Sequence, residues 1–199
     1  MLFSQHCRSR AAYILSFLLS GLFPSLCNAD MDVNITANII NNTCYISVDN
    51  NGNINMPIVS TSYFNARGNP PSPLMPTDTA GGTPFNIKIN DCEDWSEGDA
   101  NRLHFKFRPQ SSTFPAESMQ VFINEASGGA NNVGVVIFSD ITNKNVLNPD
   151  GTSDVIYNVE DKTSSQYLTN YTFYVRYQNT GPASAGRVTS NVLVSVVYD

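Results

Sequence analysis

The sequence predicts an all-β domain, and three observations predict it. Over 199 residues, 41% are hydrophobic and only 14% charged, too apolar for a disordered polymer and suited to one domain. Asn, Thr, Ser and Val abound beside 12 Gly and 11 Pro, a mixture that favours short strands and turns. Apolar residues recur with period 2 between turn signals, and no stretch repeats with the period of a helix. Lys and Arg total 11 against 17 Asp and Glu, a net charge of -6, which excludes nucleic acid as a partner.

The first 29 residues stand apart. Arg8 and Arg10 precede an apolar run, Ala11 to Leu26, and Cys27-Asn28-Ala29 ends it with small residues where a signal peptidase cuts. Gly21 and Pro24 interrupt the run before the roughly 20 apolar residues a membrane anchor needs. Lipid attachment at Cys27 is disfavoured by the bulk of Leu26. Cleavage after Ala29 leaves a chain starting at Asp30, with a net charge of -8, two cysteines and one histidine. An oxidising destination then predicts one disulfide between Cys44 and Cys92. The rival, a metal site, fails because two cysteines and the distant His104 cannot complete a zinc shell. No cofactor is predicted.

Strands are expected at Ile39–Val48, Pro84–Asn90, Arg102–Arg108, Met119–Asn124, Val133–Ser139, Tyr171–Gln178 and Arg187–Tyr198. Turn chemistry separates them at Asn50-Asn51-Gly52-Asn53, Pro70-Pro71-Ser72-Pro73, Gly128-Gly129 and Asn148-Pro149-Asp150-Gly151. About seven strands in this length fit an immunoglobulin-like sandwich.

The two ends complement each other. The last strand carries Val188, Val192, Val194, Val196 and Tyr198 on one face, with Leu193 and Val197 on the other. A strand apolar on both faces belongs inside a sheet, with partners on both edges. The chain stops at Asp199, so one edge stays open unless an earlier strand fills it. At the amino end, Met31, Val33, Ile35, Ala37 and Ile39 alternate with polar residues, the pattern of a half-buried strand.

These same residues carry a family resemblance. The chain from Asp30 to Asp199 resembles the pilin subunits of chaperone-usher fimbriae of the type 1 pilus-like group. It shares their alternating amino-terminal extension, a cysteine in the first core strand (Cys44), a second cysteine after the next strand (Cys92), a Gly near the end (Gly186) and a penultimate aromatic (Tyr198). Val133–Asp140 and Tyr171–Tyr177 stand where the family has strands. One departure is Ala37, at a place where family extensions carry Gly.

The resemblance implies an incomplete immunoglobulin-like β-sandwich lacking its last strand, with residues 30–38 as a donor-strand extension and 39–199 as the pilin domain. It implies a structural subunit of a fimbria, polymerised by donor-strand exchange and serving cell adhesion. A periplasmic chaperone, an outer-membrane usher and neighbouring subunits are the implied partners, with contact to a host glycan through the assembled fibre. Export would run through the periplasm to the surface fimbrium. The donor residues would be Met31, Val33, Ile35, Ala37 and Ile39. The groove strand would present Gly186, Val188, Val192, Val194, Val196 and Tyr198. On this expectation the chain cannot close its own sandwich, and residues 31–39 lying beside residues 187–198 of the same chain would contradict it.

Other features point less far. The acidic stretch Asp91–Asp99 lacks the spacing of a calcium loop and reads as a solvated loop holding the lone Trp95. His104 alternates with apolar neighbours and is expected to face solvent or a partner. No nucleophile elbow, metal-binding helix or phosphate loop appears, so an enzyme is not expected. Sequons at Asn34, Asn41 and Asn170 suit chance in a chain this rich in Asn and Thr. The alternative function is a lectin-like tip adhesin. A tip adhesin of the resembled family carries a separate lectin domain and no donor extension, whereas a well-formed extension leads this chain.

Overall fold

The strands form where period-2 patterning puts apolar residues on one face and polar residues on the other. A computed structural model describes residues 32–37, 43–65, 82–93 and 101–199. The expected signal segment, Met31, Ile39, the Pro70–Pro73 turn and Trp95 lie outside the described residues. Eleven strands follow in chain order: β1 (Asp32–Ala37), β2 (Cys44–Val48), β3 (Asn53–Asn55), β4 (Thr83–Cys92), β5 (Arg102–Pro109), β6 (Phe122–Ile123), β7 (Val133–Ser139), β8 (Lys144–Asn145), β9 (Val155–Asn158), β10 (Asn170–Asn179) and β11 (Thr189–Tyr198). Single helical turns occur at Ser62–Asn65 and Ser164–Tyr167.

Two sheets face each other. One has the order β3-β1-β11-β5-β9 and the other β2-β4-β10-β7-β6, with β8 beside β7. Every pairing is antiparallel except that of β1 with β11. The all-β sandwich therefore stands as the sequence predicts. Met119–Asn124 shrinks to the two-residue β6, and the described part of Ile39–Val48 begins its strand at Cys44.

The facing sides close over an aromatic centre. On β5, Leu103, Phe105 and Phe107 are buried while Arg102, Lys106 and Arg108 face out. Phe105 lies 4.9 Å from Tyr171, 5.1 Å from Tyr157 and 5.6 Å from Phe173, centroid to centroid. Phe173 also meets Phe107 at 5.1 Å and Phe85 at 5.9 Å. Such pairs add about 0.5–1.5 kcal/mol each beyond area burial. Cys44 and Cys92 stand opposite each other across β2 and β4 and are bonded as a disulfide.

The turn after β2 uses left-handed backbone at Asn50 (φ 51°) and Asn51 (φ 54°), a conformation that Asn tolerates better than other side chains. Asp49 Oδ2 pins this turn to β4 by accepting from the Asn86 amide N–H at 2.8 Å and its side-chain amide at 3.0 Å.

One expectation needs correction. The edge of β11 expected to stay open is filled within the single chain, which overturns the expectation that the chain cannot supply its own closing strand: Asp32 to Ala37 pair in parallel with Thr189 to Val194. The cause is the proximity of an alternating strand tethered to the same fold. Among the described residues its other ladder is a short antiparallel pairing, Asp32–Asn34 against Asn53–Asn55 of β3.

Candidate functional site

The last strand is built as a rail. Its even-numbered residues point into the sandwich: Val192, Val194 and Val196 are buried, as is Val188 just before the strand. Ser190 shares this face and was not singled out by sequence, because a serine breaks an apolar pattern. Its hydroxyl donates to the Ile123 carbonyl at 2.7 Å, which removes the cost of burying it. Tyr198 is half-buried and its hydroxyl donates to the Glu93 carbonyl. The wall facing the valines comes from β2, β6 and β7 of the other sheet.

Both ends of the rail are clamped. At the start, Asn124 Nδ2 donates to the Arg187 carbonyl and Asn124 Oδ1 accepts from the Thr189 amide, each at 2.9 Å. The Ala130 amide also donates to the Arg187 carbonyl at 2.9 Å. Gly186 makes this approach feasible: its φ is +157°, and a Cβ there would lie 2.5 Å from the Ala130 nitrogen and 2.7 Å from the Gly129 carbonyl carbon.

At the far end, the Asp199 carbonyl accepts from the amides of Asn101 (2.7 Å) and Arg102 (3.1 Å). The Arg102 guanidinium grips the Asp199 carboxylate through Nε and Nη2, both at 3.0 Å. His104 Nε2 lies 3.3 Å from Asp199 Oδ1, and its Nδ1 lies 2.8 Å from Asp154 Oδ1. His104 lies on the outward side of β5, but instead of facing solvent its side chain is largely covered and held between two carboxylates. Partial desolvation works against the Asp199 carboxylate, yet the hydrogen bonds from Arg102 and His104 outweigh it and hold its pKa below 3.8.

Between these clamps, one edge of β11 is fixed to β5 from Val192↔Pro109 to Tyr198↔Leu103. The other edge carries β1, whose register sets Val33, Ile35 and Ala37 opposite Ser190, Val192 and Val194. Pairing with β1 starts only at Thr189. Beyond it, around Val188, lies an apolar crevice of about 240 Å³ lined by Ile58, Phe64, Val133, Tyr177 and Gly186 among others. The sequence-predicted groove residues Gly186, Val188, Val192, Val194, Val196 and Tyr198 thus lie along one line of chain.

Comparison with known proteins follows the same line. A 38% identical relative, the uncharacterized fimbrial-like protein YadK of Escherichia coli K12, aligns with 96% of this chain over 95% of its own length. The minor fimbrial subunit HifD of Haemophilus influenzae is 26% identical over 79% of this chain and 68% of its own. The F17 fimbrial protein of Escherichia coli is 23% identical over 94% of this chain and 97% of its own. The family model described as fimbrial protein matches residues 33–199, which include every element from β2 to β11 and all but the first residue of β1. The chain belongs to the fimbrial protein family.

Proposed function

We propose that this fimbrial structural subunit is joined to its neighbours by exchange of its leading strand. Residues 1–29 direct export and are removed, residues 30–38 are lent to the next subunit, and residues 39–199 form the domain that receives a strand in turn. The observation that carries this reading is that β11 is clamped at both ends, while the strand along its edge pairs with it in parallel and, on its other side, with the three-residue β3. Ladder hydrogen bonds give such a joint its register and the alternating side chains give it selectivity.

Chain length supports a second molecule as the partner in the assembled state. Thr43 bridges Val197, so the tether from Ala37 to Thr43 spans at most about 21 Å when fully extended. Parallel pairing asks it to cover only the stretch from Val194 to Val197, about 10 Å. Antiparallel pairing over the same six residues of β11 would put Ala37 beside Thr189, leaving roughly 26 Å to cross. A self-supplied strand is therefore confined to the parallel direction, the weaker of the two. A strand from another molecule has no tether and can enter antiparallel, extending into the crevice at Val188. Exchange is then the swapping of one strand between identical folds, a low-cost route to assembly.

Exposing the β11 edge leaves a template for uncontrolled pairing. That need supports a periplasmic chaperone that covers the edge in transit and an outer-membrane usher where subunits are joined. The partners in the fibre are neighbouring subunits, and contact with host glycans is made by the fibre as a whole.

The test mixes the purified protein with a synthetic peptide of residues 30–43. The expected result is exchange into a complex that resists heat, abolished when Val33 and Ile35 of the peptide are both replaced by Asp. Unchanged complex formation by the Asp-substituted peptide would overturn the assignment of the strand.

A further inference from the structure

We propose that Glu125 is a positioning residue for strand exchange, a role that rests on the exchange reading above: its carboxylate stands in for the missing end of β5 and keeps the leading end of β11 extended for an incoming strand. β5 and β11 pair from Tyr198↔Leu103 to Val192↔Pro109. One more bond follows, the Gln110 amide donating to the Asn191 carbonyl at 2.9 Å. The bond that would return from the Asn191 amide to this segment is replaced. That amide donates to Glu125 Oε2 at 3.1 Å, and the Asn191 side-chain amide donates to the same oxygen at 2.5 Å.

Glu125 reaches β11 from the other sheet, just after β6, which pairs with β7. The stretch that follows β6 bonds each odd-numbered residue at the leading end of β11. The Glu125 amide donates to the Thr189 carbonyl at 2.7 Å, Asn124 Oδ1 accepts from the Thr189 amide, and the Ala130 amide and Asn124 Nδ2 reach the Arg187 carbonyl. Backbone groups alternate in direction along a strand. With the odd-numbered residues turned to the β5 side, the amide and carbonyl groups of Val188 and Ser190 turn to the opposite edge. Val188 lies ahead of the first pairing with β1, at Thr189.

Within this brace the Glu125 carboxylate is the charged acceptor. Hydrogen bonds to an ionised group are roughly twice as strong as neutral ones, and among the described residues no cation pairs with Glu125 and competes for it. Asn124 is itself fixed, accepting from the Ala126 amide at 3.1 Å and donating to the Ala130 carbonyl at 2.9 Å. Ala130, Gly186 and Val188 line the apolar crevice at this end. The brace therefore sets both the path of the rail and the mouth of the crevice into which an incoming strand would extend.

The experiment measures how fast the labelled peptide of residues 30–43 enters the purified parent protein and the variants Glu125→Ala, Glu125→Gln and Arg102→Gln. Glu125→Ala is expected to slow entry about tenfold, the loss of one charge-assisted contact. Glu125→Gln should recover most of the rate, because its amide oxygen can accept from both Asn191 N–H groups. Arg102→Gln loosens the opposite end of β11 and should leave the rate unchanged. In the free proteins, amide hydrogen exchange should show Asn191 losing protection in Glu125→Ala while Ser195, deeper in the ladder, keeps it. A parental rate in Glu125→Ala, equal slowing in Arg102→Gln, no recovery with Gln, or unchanged protection of Asn191 would each overturn the role of Glu125 and leave strand exchange standing. Failure of the parent to take up the peptide would overturn strand exchange itself, and this role with it.

Discussion

Thr36 lies opposite Leu193 in a parallel ladder, the one parallel pairing among the described strands. Parallel strands normally need a crossover of a dozen or more residues, and here almost the entire domain supplies it. With cysteines in place of both residues, the unassembled protein should form the Thr36–Leu193 cross-link within one chain, identified by peptide mapping. Dimers and larger ladders without an intrachain bond would show that β1 does not fold back on its own rail.

Gly186 sits where the chain turns into the last strand, against the backbone of Gly129 and Ala130. The Cβ of Gly186→Ala has no flexible side chain to push aside, so the clamp on Arg187 and Thr189 must shift. A loss of roughly 1–3 kcal/mol is expected, measured by chemical denaturation. An unchanged midpoint would mean that the approach of the two segments is not fixed by this residue.

The long strands were legible because burial follows their alternation: on β5 and β11 the residues with period-2 spacing are the ones the structure buries. β3, β8 and β9 were not anticipated, since two to four residues give too few repeats to register a period. On β7 all seven residues are buried. Sequence marks such a run as apolar, but it could not show that Val136 and Phe138 form a second cluster with Val121, on which Tyr174 packs, or that Arg176 stacks 4.8 Å above Phe138. Cys44, Cys92 and the valines of the last strand were legible from spacing and type. The use of β1 on its own chain was not, because a strand pattern says that an edge partner is wanted but not which molecule provides it.

The Cys44–Cys92 bond ties β2, an outer strand of its sheet, to β4 across a sequence separation of 48. Crosslinking a loop of that length removes entropy from the unfolded chain, and replacing both cysteines by Ser should cost about 2–5 kcal/mol. Denaturation with and without reductant checks it. Equal midpoints for the oxidised and reduced protein would show that the ladder between β2 and β4 suffices without the bond.

The clamp on Asp199 makes the end of β11 sensitive to acid. Because the folded-state pKa of Asp199 lies below 3.8, its contribution to stability is present above about pH 4 and is lost as the pH falls through the folded value. The carboxylate is half exposed, so solvent screens the effect and it is small beside the core. Asp199→Asn should therefore lower the unfolding temperature at neutral pH, and variant and parent should converge as the pH falls through the folded value. Arg102→Gln should act in the same direction, since it removes the bidentate grip. Combining the two should cost less than their sum, because each removes the same contact. Parallel pH profiles for Asp199→Asn and the parent would show that the carboxylate does not hold the end of the rail.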